Sequence, residues 1–113
     1  MTDEIVELNM DMICFQIISN VGTAKSLVME AIYAARDGNY SLAEEKIEEA
    51  QRYFVEGHKI HSTLIQKEAS GQKLHVSLIL MHAEDQLMSA ETISELVKEM
   101  IEMYKKINDL QPK

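Results

Sequence analysis

The sequence holds no tryptophan, one cysteine, one proline and four glycines in 113 residues, and each scarcity removes a class of structure. A lone thiol, Cys14, forms no internal disulfide, and no Cys/His spacing of the structural-zinc type exists, so neither staple holds the fold. Cys14 reads as a small core residue. With the single proline at Pro112 and the glycines far apart, long stretches are free of helix breakers. Basic residues are also short. Eleven Lys and Arg against nineteen Asp and Glu give a net charge of -8, a field that repels phosphate backbones and anionic lipid, so nucleic acid is not expected as a partner. The longest uncharged stretch, Met12 to Ala24, is broken by Gln16, Ser19, Asn20 and Gly22, and Met1-Thr2-Asp3-Glu4 has no basic n-region. Neither a signal peptide nor direct membrane insertion is expected, and the expected location is cytoplasmic.

What is present is helical pattern. Three segments follow from the breakers. The first runs from about residue 3 to 36, with Thr2 or Asp3 as N-cap and Asp37-Gly38-Asn39 as the turn. The second runs from about 41 to 67, opened by a capping box between Ser41 and Glu44; Ser70-Gly71-Gln72 then turns the chain into a third, from about 74 to 108. Apolar positions recur at steps of four and three in each: Met10, Cys14, Ile17, Val21, Ala24, Val28, Ala31 and Ala35; then Ala43, Ile47, Ala50, Phe54, Gly57, His61 and Leu64; then Ala83, Leu87, Ala90, Ser94, Val97, Ile101 and Tyr104. Short turns make neighbouring helices antiparallel, so the expected fold is all-α, an up-down-up three-helix bundle forming one domain over residues 1–113. The acidic run from Glu44 to Glu49 keeps Ile47 on the stripe and reads as a solvated face.

Helices of about thirty residues are roughly 45 Å long, which makes a slender rod with much wet apolar surface. The third segment also carries a second stripe, Leu78, Met81, Asp85, Met88 and Thr92, rotated away from the first. Two apolar faces need two partners, and self-association supplies the second. Asp85 is the odd member of that stripe. An ionised carboxylate dried there costs several kcal/mol unless something neutralises it. A basic residue on a facing helix, a retained proton, or a metal shared by copies of Asp85 would each do so, and a solvent-exposed Asp would need none of them.

His82 lies about 60° from Asp85 and about 40° from Gln86 around the helix, so the three share a patch. A neutral imidazole has a free ring nitrogen that can accept a phosphoryl group in line, provided the other nitrogen is held as N–H. A packed or surface histidine is the alternative. His58 and His61, at i and i+3, read as packing residues, since no Glu stands three residues before any His as in di-iron bundles. His75, placed two turns before His82 on nearly the same face, is a candidate neighbour.

The run from Val76 to Met88 resembles the active-site helix of the enzyme IIA component of the lactose/cellobiose (chitobiose) class of the bacterial sugar phosphotransferase system, whose pattern is approximately V-S-L-x-L-x-H-A-Q-D-H-L-M. Asn20 to Ser26 resembles its N-x-G-x-A-[RK]-S segment, Gly57 to Ile65 its A-H-x-x-Q-T-x-L-I segment, and Glu68-Ala69-Ser70-Gly71 its E-A-x-G. The resemblance implies a phosphotransferase component that is a homotrimer with a nine-helix, coiled-coil-like core. In it His82 takes a phosphoryl group from the phosphocarrier HPr and passes it to a cysteine of a IIB component during uptake of a lactose/cellobiose-type disaccharide. It implies further that Asp85 from three subunits binds a divalent metal, Mg2+ by preference, on the trimer axis. The acidic surface suits charge complementarity with HPr. The chain departs from the pattern at four places: Glu84 and His61 stand for Gln, Gln86 for His and Gly57 for Ala. Glu84 is about 200° from His82 and is expected to point away from it. A helical adaptor or oligomerisation module, and a histidine-phosphotransfer signalling domain, are the competing readings.

Overall fold

The protein, a computed structural model, is described over residues 3–111, and its side chains over 9–111. Three helices, α1 (Asp3–Arg36), α2 (Tyr40–Ala69) and α3 (Leu78–Asp109), run up, down and up, as the breaker positions predict. Gly38 and Gly71 adopt φ of +84° and +97°, the left-handed conformation that ends α1 and α2 without a Cβ penalty. The expected cap Thr2 lies outside the described residues, and Asp3 is already helical.

Two helix starts differ from expectation. Helix α2 begins one residue early: the cap is Asn39, whose side chain accepts the Leu42 N–H at 3.2 Å, not Ser41. An Asx side chain two residues ahead of Ser41 already satisfies an orphan donor of the first turn, in place of the Ser41–Glu44 box. Helix α3 begins at Leu78 rather than 74, because Ser77 takes an extended backbone and accepts the Leu80 N–H at 3.2 Å. Residues 72–77 are irregular, with Leu74 folded towards the core, which imitated helical spacing in the sequence.

The three predicted stripes form the core. On α1 every stripe residue from Cys14 to Ala35 is buried; on α2 Ala43, Ala50, Phe54, Gly57 and Leu64 are, and on α3 all from Ala83 to Ile101. Met10, Ile47, His61 and Tyr104 are only partly buried, at the flanks. Helix α1 packs along both partners, whereas α2 and α3 approach each other at few backbone positions. Gly57 lets α2 close on α1: a Cβ there would stand 3.1 Å from Val21 Cγ2. The α2–α3 seam is instead spanned by polar side chains, with Tyr40 O–H donating to the Tyr104 carbonyl at 3.4 Å and Asn108 Nδ2 donating to the Tyr40 hydroxyl at one end.

The stretch Asn9–Arg36 is long and apolar enough to cross a bilayer by length and composition alone. In the bundle its Cys14–Ala35 stripe packs against α2 and α3, as a core helix requires, and core helices meet the same hydropathy criterion. The molecule measures 67 × 20 × 19 Å with a radius of gyration of 18.0 Å, against about 13 Å for a compact chain of this length.

Candidate functional site

Five consecutive residues of α3, His82 to Gln86, diverge. Ala83 is wholly buried in the core with the rest of the α3 stripe, which sets the helix azimuth, and the roughly 100° step per residue then sends its neighbours elsewhere. His82 and Asp85 are exposed, while Glu84 and Gln86 are partly buried. Because α3 starts at Leu78 after the Ser77 cap, His82 is the fifth helical residue, little more than a turn from the positive end of the helix dipole. That end modestly favours an anionic group nearby. Among the described residues His82 makes no side-chain hydrogen bond or ion pair, and its side chain is exposed to solvent.

Asp85 stands between Met81 and Met88, each 59% exposed. No Lys or Arg among the described residues pairs with it, so the basic-partner answer is absent within one chain. Its stripe continues beyond the predicted members through Leu96, Met103 and Ile107, all exposed, along the whole outer face of α3. The described residues bring no three metal-type ligands together in one copy, so a cation at Asp85 requires several copies.

Glu84 points away from His82, as its angle predicts, and the structure supplies what the sequence could not: His61 Nε2–H donates to Glu84 Oε2 at 2.7 Å. Two residues that depart from the family pattern thus meet across the α2–α3 seam. One turn along, His58 Nε2 lies 2.6 Å from Glu91 Oε1. Both histidines, read from the sequence as packing residues, are interhelical hydrogen-bonding residues instead. The signal was available only as two histidines and two glutamates on unassigned faces. Beneath the pair, burial pushes the Cys14 thiol above its ordinary range, with the carboxylates of Asp11 and Glu84 adding to the shift.

His75 is not a helical neighbour of His82. It lies in the 72–77 loop, and with Asn9, Asp11, Lys67, Lys73 and Leu74 it lines an open cavity of about 660 Å³ at the bundle end. Neither His82 nor Asp85 borders that cavity. A group that exchanges a phosphoryl with another protein needs a reachable nitrogen rather than an enclosed pocket.

The profile of the family described as "PTS system, Lactose/Cellobiose specific IIA subunit" matches residues 12–105. The lichenan-specific phosphotransferase enzyme IIA component of Bacillus subtilis is 40% identical over 88% of this chain and 91% of its own length. Among solved structures, the cellobiose-specific enzyme IIA of Bacillus anthracis superposes with a TM-score of 0.86 at 41% identity, covering 88% of this chain and 92% of that one. The IIA(chitobiose)–HPr complex of the Escherichia coli N,N'-diacetylchitobiose branch gives a TM-score of 0.74 at 31% identity over 85% of this chain and 93% of that one.

Proposed function

Because this chain belongs to the lactose/cellobiose-specific IIA family, a component of the sugar phosphotransferase system, we propose that it carries a phosphoryl group on His82 between HPr and a IIB component. The observation that carries this reading is the exposed His82 imidazole, held at a fixed azimuth by the buried Ala83 on its C-terminal side. A lone pair on one ring nitrogen attacks phosphorus as the bond to the HPr donor breaks, while the other nitrogen keeps its N–H. The reverse geometry delivers the phosphoryl group to the thiolate of a IIB cysteine, the P–N bond breaking as the P–S bond forms. There is little covalent work for the chain beyond positioning. The sugar, a lactose/cellobiose-type disaccharide, never meets this protein, and the work is done on the cytoplasmic side.

The bare outer stripe of α3 supports a homotrimer in which three α3 helices line the axis. Three Asp85 carboxylates then converge, and a divalent cation of the Mg2+ type fits them: the donors are hard oxygens with no cationic side chain competing. That cation would neutralise the carboxylates, away from the transfer step, while the apolar stripe holds the assembly. Incubation with phosphoenolpyruvate, enzyme I and HPr should add one phosphoryl mass, labile to acid and stable to alkali. Equal labelling of the His82→Ala protein would refute the assignment.

A further inference from the structure

We infer that His61 and Glu84 act together as a positioning pair that stops the residual roll of α3 about the azimuth its buried stripe sets, and through it fixes the place of His82. This rests on the reading of His82 as phosphoryl acceptor. Helix α3 has one broad packing face, on α1, and meets α2 at few backbone positions. The buried stripe from Ala83 to Ile101 sets the azimuth of α3, but with Ala83, Ala90 and Ser94 as small members of it a few degrees of roll are left for a contact on the flank to stop. On this flank the Glu84 carboxylate accepts from His61 Nε2–H at 2.7 Å, with the two side chains 34% and 19% exposed. Glu91 and His58 repeat the contact about two turns further along α3 but at the surface, with side chains 38% and 50% exposed, where the bond is weaker.

Glu84 and His82 flank Ala83 and project on opposite sides of the helix, so any roll that lengthens the His61–Glu84 bond swings the imidazole by the same angle. A roll of about 10° at a side-chain radius of roughly 6 Å displaces it by about 1 Å. Errors of that size cost in-line transfer heavily, up to about a hundredfold. The pair touches neither phosphorus nor the partner; it is a stop on the far side of the same helix.

The test compares His61→Ala, Glu84→Ala, the double alanine variant and a His61→Gln/Glu84→Gln variant, in which two amides can rejoin. Each alanine change is expected to lower the single-turnover rate from saturating phospho-HPr by about three- to tenfold. The double alanine variant should fall no further than either single change, and the Gln/Gln variant should recover. A second readout needs no phosphate: the imidazole ¹⁵N shifts of His82 should move in His61→Ala, a change on a different helix, and return in the Gln/Gln variant. Unchanged rates with unmoved shifts overturn the proposal, and so do single losses that simply multiply in the double variant. Failure of the unsubstituted protein to accept phosphate would sink the functional reading alone, because the shifts still decide the pair.

Discussion

Successive side chains on α3 are separated by about 100°, so burying Ala83 leaves its neighbours no common environment. His82 meets solvent, Glu84 meets α2 and Asp85 meets the outer stripe. Asp85→Leu removes three mutually repelling charges from the proposed axis, so we expect the trimer to survive in sedimentation and metal uptake to vanish in calorimetry. Collapse to monomers would show instead that the cation, not the apolar stripe, holds the assembly. Cys14 supplies a second residue-scale outcome. It is 1% exposed, and burial with two nearby carboxylates raises its thiol pKa, both of which suppress the reactive thiolate. Alkylation at mildly alkaline pH should therefore be slow in the folded protein and fast in denaturant; equal rates would place Cys14 outside the core.

At the scale of the element, the stripes were legible because a period of four and three admits only one structure over thirty residues. Helix starts were less so. Ser41–Glu44 has the spacing of a capping box, yet Asn39 is the cap, and Leu74 with Leu78 has helical spacing although residues 72–77 are irregular. Cap choice depends on which nearby oxygen first reaches an orphan N–H, and several candidates stood within three residues of each other. Asn39→Ala and Ser77→Ala should each lower stability by about 1 kcal/mol in urea unfolding at fixed protein concentration. A shifted midpoint for Ser41→Ala with none for Asn39→Ala would return the cap to Ser41.

For the whole molecule, shape argues for association. The surface of 7817 Å² exceeds the roughly 6300 Å² expected of a compact monomer of this size. Apolar side chains form a continuous part of it along α3, from Leu78 through Met88 and Leu96 to Met103. Met103 is on this stripe nearly six turns from His82, so Met103→Glu should convert the proposed trimer to monomers in multi-angle scattering while the separated subunits keep their helical circular dichroism. A trimer that persists would move the interface off α3.

The sequence by itself determined the three helices, the stripes that line the core and the turns at Gly38 and Gly71, because helical periodicity and breakers are local properties of the chain. Only the tertiary structure decided where α3 begins relative to His82, that His75 belongs to a loop, and that His61 and Glu84 share a hydrogen bond across 23 positions of sequence. The last depends on the azimuths of two helices packed on a third. An angle within one helix can be counted along the chain, whereas the angle between two helices is set by how their buried side chains fit together.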